Sequence, residues 1–160
     1  YAQAVLYCRE QGLVRGTADH TFSPDRSMTR GMVSTVLARL AGADTAGGET
    51  WYAKGTVWAV ENGISDGTAP EQPVTREQLA AMLYRYAQHE GYDVSIGEDT
   101  NILSYADAFT VSEYAVSALQ WACGAGIISG TGDGSTFSPD TVCQRGQIVT
   151  FLYRAANAAA

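Results

Sequence analysis

One pattern occurs three times in this chain, and an internal repeat constrains the fold more than any other feature of a sequence. Each copy ends an amphipathic stretch in Gly-x-x-x-Gly: Gly12-Leu13-Val14-Arg15-Gly16, Gly63-Ile64-Ser65-Asp66-Gly67 and Gly126-Ile127-Ile128-Ser129-Gly130. Glycine just past a helix, followed by an apolar residue, fits a left-handed C-cap, so the first glycine of each copy is expected to close a helix. A loop follows. In the first and third copies it contains Thr-Phe-Ser-Pro-Asp, at Thr21 to Asp25 and Thr136 to Asp140, whereas the second copy has only Thr68 to Pro73. A second helix then opens at Thr29-Arg30-Gly31-Met32, Thr75-Arg76-Glu77-Gln78 and Gln144-Arg145-Gly146-Gln147. Thr75 with Gln78 matches a capping box. Gln144 is a poor N-cap and Met32 is expected not to complete the box, so the second copy should start most cleanly.

Behind each motif arginine the apolar residues fall on one helical stripe: Val33, Val36, Leu37 and Leu40; Leu79, Met82, Leu83 and Tyr86; Ile148, Phe151, Leu152 and Ala155. Trp51 and Tyr114 open the preceding helix at matching distances from Gly63 and Gly126, while Tyr1 begins one position late in the first copy. The linkers, Gly42 to Thr50 and His89 to Thr110, are rich in Gly, Asp and Thr. A lone two-helix unit cannot bury its stripe, so the three units are expected to share one core. The predicted architecture is all-α and a single domain over 1–160, with repeats at about 1–43, 51–90 and 102–157.

A chain of 160 residues with 46% hydrophobic residues has enough apolar surface for such a core. Its apolar runs are interrupted within a few residues, which argues against membrane insertion. The net charge of −7 argues against nucleic acid or anionic membrane as partners, because both need a basic face. Cys8, Cys123 and Cys143 are odd in number and lack CxxC spacing, so buried thiols are expected rather than a zinc site or a disulfide framework.

Nine of the ten basic residues are arginine, and six of those fall on two repeat-equivalent positions: Arg30, Arg76 and Arg145 at the second helix's start, Arg39, Arg85 and Arg154 later in it. A cation at a helix N-terminus opposes the dipole by roughly 0.3–1 kcal/mol, so the first set needs a compensating partner. A guanidinium beside unpaired helix N–H groups suits a carboxylate or phosphate, and the alternative is internal pairing with Asp25, Asp140 or loop carbonyls. For the second set a late-helix cation that merely stabilises the fold is the simpler reading. Trp51 and Tyr114 can stack on a sugar face or join the core. Gly132-Asp133-Gly134 has no upstream ligands for calcium. His20 and His89 belong to no metal or triad spacing, and no nucleophile elbow or phosphate loop is present, so neither a metal nor a cofactor nor catalysis is expected. Asp133 with Glu113 would be the carboxylate pair of an unfavoured glycan-hydrolase reading.

The order of aromatic-start helix, GxxxG, Gly-Asp-Gly with Thr-Phe-x-Pro-Asp, then Thr-Arg-x-x resembles the S-layer homology family across nearly the whole chain. Tyr105-Ala106-Asp107 is similar to the Phe-x-Asp that opens a family repeat. The resemblance implies a pseudo-threefold bundle of three helix-loop-helix repeats. It also implies an extracellular, bacterial cell-surface module that anchors cargo by binding cell-wall polysaccharide, often pyruvylated, in grooves between repeats. The site residues it implies here are Arg30, Arg76, Arg145, Trp51, Tyr114, Gly16, Gly67, Gly130 and Asp133, with the Arg76 and Arg30 grooves ranked ahead of the Arg145 groove. The alternative is a structural module assembling with other surface-layer proteins in a lattice or filament.

Overall fold

The structure is a computed structural model and describes residues 2–14 and 21–158. It is helical: α1 (Ala2–Glu10), α2 (Arg30–Leu40), α3 (Ala53–Glu61), α4 (Arg76–His89), α5 (Val116–Gly124) and α6 (Arg145–Ala158), with three short 3-10 turns between α4 and α5. The described residues contain only isolated bridges and no strand, as the all-α expectation requires. They fall into two compact units, one drawn from the described residues within 1–74 and 143–153 and one from those within 75–142 and 154–160.

The repeat register read from the sequence reappears in the backbone. Gly12, Gly63 and Gly126 all have φ near +70°. In each case the glycine N–H donates three residues back, and the next N–H, of Leu13, Ile64 or Ile127, donates five back, to the carbonyls of Cys8, Ala59 and Ala122. This is the Schellman closure, and its apolar residue is buried each time. The stripe is buried as predicted, except that Leu40 and Ala155 are only half-buried. The residue two before each motif arginine, Met28, Val74 or Cys143, is almost fully buried.

In the first unit α2 packs on α3. The approach is close enough that a Cβ on Gly55 would fall 2.5 Å from the Thr35 Cα. Tyr7 of α1 meets Tyr153 of α6 edge-on at 5.4 Å, and the Cys8 thiol points at the Val149 carbonyl. In the second unit α4 packs on α5, with Tyr84 against Trp121. The residues of the long linker are more than a connection: the 3-10 turn Ser95–Asp99 lies on α5, where a Cβ on Gly97 would sit 2.9 Å from the Trp121 nitrogen. Cys8 and Cys143 are buried, and burial pushes the Cys8 thiol up to about 11.

One capping expectation is corrected. The Thr29 hydroxyl accepts from the Met32 N–H, and the Met32 sulfur in turn accepts from the Thr29 N–H at 3.4 Å, so a thioether closes the box in place of a carboxylate. Sulfur is a weak acceptor, but the Thr29 N–H has no other among the described residues. Thr75 and Gln78 form the box predicted for them, and at the third helix only the Gln147 side chain reaches back, to the Gln144 N–H.

Candidate functional site

The helix starts that carry the motif arginines are already capped by protein. In the first unit the Arg30 and Gly31 N–H groups donate to the carbonyls of Gln72 and Pro70, and those of Arg145 and Gly146 to the carbonyls of Arg26 and Pro24. In the second unit the Arg76 and Glu77 N–H groups donate to Thr141 and Pro139. The supposition that these N–H groups are unpaired is therefore wrong. Each is taken by a proline-centred loop from another copy of the repeat. The residue before that proline, Ser23, Ala69 or Ser138, has positive φ, which turns the carbonyls towards the helix.

The arginine side chains grip the same loops. Arg76 is buried; its Nε donates to the Phe137 carbonyl (2.8 Å) and a terminal nitrogen to the Ser129 carbonyl, while its guanidinium lies over the Phe137 ring at 4.7 Å. Arg145 repeats the arrangement on Phe22, with Nε on the carbonyl at 3.0 Å and the guanidinium 4.8 Å from the ring centre. Burial, with Arg26 nearby, pulls the Arg145 pKa down. Arg30 meets the loop that lacks the phenylalanine. It bonds instead to the Asp66 carboxylate (3.0 Å) and the Thr68 hydroxyl (3.2 Å), and its buried Nε has no hydrogen-bond partner among the described residues. The late-helix set has a fold-holding role too: Arg39 donates to the Leu13 carbonyl and Arg154 to that of Ile127, in both cases the residue after the helix-closing glycine.

A cavity of about 300 Å³ opens in the first unit. Arg145, Arg39 and Trp51 border it, over a floor that includes Met28, Met32 and Val36. Trp51 is 53% exposed, and Tyr114, in the second unit, 51%. Neither ring is core. Trp51 stands edge-on to Tyr52, whose hydroxyl donates to Glu71. The Tyr114 hydroxyl donates to Glu77, a buried carboxylate that also accepts from the N–H and hydroxyl of Ser112.

The remaining candidates are loop residues. Gly67 has φ +76°, and a Cβ there would meet Val60. Gly130 sits so close to the carbonyls of Gly134 and Thr136 that no side chain fits. Asp133 is exposed, and the hydroxyl of Ser135 together with its N–H, which donates to the carboxylate, holds its pKa low. Gly16, with Arg15 and His20, lies outside the described residues. Among those described, no cluster of His, Cys, Asp and Glu is suited to a metal. Two residues were missed from sequence: Arg39, assigned to the fold alone, also borders the cavity, and Glu77 was read only as a motif position. The signal for Glu77 was available, because the other two copies have glycine there.

The S-layer homology domain model matches residues 1–31 and 104–149. The chain is 31% identical, over 92% of its length, to an endoglucanase of Bacillus sp. (strain KSM-635), of which it covers 17%. It is 27% identical over 81% of its length to a surface-layer 125 kDa protein of Lysinibacillus sphaericus, and 28% identical over 89% to cell surface glycoprotein 1 of Acetivibrio thermocellus. Of these two it covers 12% and 7%, so the chain spans less than a fifth of the length of these curated relatives.

Proposed function

Because this chain belongs to the S-layer homology family, we propose that it is a wall-anchoring module that binds an acidic, pyruvate-bearing wall polysaccharide through grooves of the kind seen in its first unit. Its place is the bacterial cell surface. The chain itself is a binding module; the catalytic name of the endoglucanase belongs to a protein of which it covers 17%. The observation that carries the glycan reading is the cavity bordered by Arg145, Arg39 and half-exposed Trp51. At about 300 Å³ it is at the lower end for small-ligand sites, the size of one sugar residue. Two guanidinium groups supply counter-charge for a ketal carboxylate, and the indole supplies a face for the apolar side of a pyranose.

This reading changes the ranking of the grooves. Arg76, buried on two carbonyls, acts by holding the loop of residues 129–140, and Arg145 is the motif arginine bordering the cavity. Arg30 keeps a place in the recognition set through its more accessible pairing with Asp66. Gly67, Gly130 and Asp133 shape the loops, and with Gly16 they complete the proposed set.

The test is sedimentation of the chain with wall sacculi, before and after chemical removal of the wall polysaccharide. Binding is expected to vanish with the polymer. Trp51→Ala should weaken it by about 1 kcal/mol, near fivefold, with an unchanged melting temperature. Retention on stripped sacculi would instead favour an assembly module contacting other surface proteins.

A further inference from the structure

Resting on the glycan reading above, we propose that Glu77 is a positioning residue, which fixes the exposed Tyr114 ring as a sugar-stacking platform in the second unit. The buried carboxylate has an unusual distribution of bonds. Its contacts to Ser112 N–H (2.9 Å), Ser112 hydroxyl (2.6 Å) and Tyr114 hydroxyl (3.3 Å) all go to the segment that leads into α5. A carboxylate only 5% exposed is costly to desolvate, and the fold does not require one at this position. Gly31 and Gly146 occupy the equivalent site in the other copies, and their backbones make the same loop contact that Glu77 makes to Pro139.

The first unit reaches a similar end by other means. A Cβ on Gly31 would fall 3.1 Å from the Tyr52 ring, so the glycine leaves room for that ring. Tyr52 then props Trp51 edge-on at 5.3 Å and is itself tethered through its hydroxyl to Glu71. In both units, then, the residue after the motif arginine determines how the exposed aromatic at the next helix start is held. A ring fixed at both its backbone and its hydroxyl loses little freedom when a sugar stacks on it, and that is how positioning becomes affinity. Tyr114 is the group that touches ligand; Glu77 acts through it.

The experiment is calorimetric titration of the full chain and of Glu77→Gln, Tyr114→Phe, Tyr114→Ala and the Glu77→Gln/Tyr114→Phe double variant with a pyruvylated wall-polysaccharide fragment. Thermal melts run alongside. Tyr114→Ala is expected to bind about tenfold more weakly, and Glu77→Gln and Tyr114→Phe each about three- to fivefold. The double variant should be no weaker than the worse single, because both remove one tether. Tyr114→Phe should melt as wild type, which separates positioning from folding. The proposal is overturned if Tyr114→Ala binds as wild type, if Glu77→Gln binds as wild type, or if the two single losses multiply in the double. Failure of the wild-type chain to bind the fragment would overturn the glycan reading itself, a result distinct from loss in the variants alone.

Discussion

Arg76 and Arg30 occupy the same position of the repeat and meet two different loops. Arg76 meets a loop with a phenylalanine, so ring and carbonyls satisfy a guanidinium that is almost wholly buried. Arg30 meets a loop with Thr68 where the ring would be. It is left with an exposed carboxylate, a hydroxyl and a buried Nε that no described residue accepts. The backbone of that loop is nonetheless retained: Ala69 has positive φ, as Ser138 does, and Pro70 accepts from the helix start, as Pro139 does. Helix capping by the proline turn is therefore separable from the arginine clamp, and a repeat can lose the second while keeping the first.

The largest effect should come from removing the ring. Phe137→Ala deletes a fully buried side chain together with its cation contact, and is expected to cost about 3–5 kcal/mol. Thr68→Ala, at the matching exposed position, should cost about 0.5–1.5 kcal/mol, the worth of an ordinary hydrogen bond. Denaturant titration of the two variants compares them directly. Equal losses would mean that the two loops contribute alike, and the contrast drawn above would fall.

Next come the arginines. Arg76→Ala strands the Phe137 and Ser129 carbonyls and should cost about 2–4 kcal/mol. Arg30→Ala gives up a pair whose carboxylate is 67% exposed, and at the same time removes the orphaned Nε, so about 0–1 kcal/mol is expected. Thermal melts in low and high salt check this, since only the Arg30 contribution should be screened appreciably.

Much of this was legible in the sequence. The three copies, the glycine closures and the buried stripes follow from spacing alone, because a helix stripe and a left-handed cap each require particular residue types at fixed offsets. What spacing does not reveal is which copy a side chain faces. That Arg76 would grip Phe137 and Arg145 would grip Phe22 depends on contacts far apart in sequence, so the arginines read equally well as ligands for an anion. The residues at 95–102 show a second blind spot. Their Gly and Asp content is that of a connection, yet Gly97 and Ile102 are buried and the 3-10 turn lies on α5. Met32 failed as a sequence reading because capping preferences are written for oxygen acceptors.

Acid should act on the loops before it acts on the helices. Partial burial pushes Asp107 upward, but donation from the Phe137 and Ser138 N–H groups outweighs it and holds the pKa below the usual carboxylate value. Asp66 is held low as well, chiefly by the Thr68 N–H and hydroxyl and less by Arg30. For groups with depressed folded pKa, the contribution to stability is complete above the unfolded value of about 4 and fades as pH falls through the lower folded one. The melting temperature should therefore drop below about pH 4, and Asp107→Asn should reduce that drop while lowering stability at pH 7. An unchanged acid limb in Asp107→Asn would show that this carboxylate does not anchor the Phe137 loop.

The smallest effect sharpens the claim that capping and clamping separate. Ala69 is exposed and holds φ +45°, a region where a side chain costs roughly 1–2 kcal/mol relative to glycine. Glycine adds conformational freedom to the unfolded chain worth about 0.5–1 kcal/mol, so Ala69→Gly should stabilise the chain by a net of about 0.5–1 kcal/mol. Ser138→Gly relieves the same strain at φ +59°, but it also removes the bond between the Ser138 and Thr131 hydroxyls at 2.6 Å, and the two terms nearly cancel. Differential scanning calorimetry should find Ala69→Gly melting a few degrees higher and Ser138→Gly near wild type. If both rise alike, the Thr131 bond contributes nothing. If Ala69→Gly melts lower, the turn in the second copy is held by something other than its own backbone, and the two loops are not the same device with and without a ring.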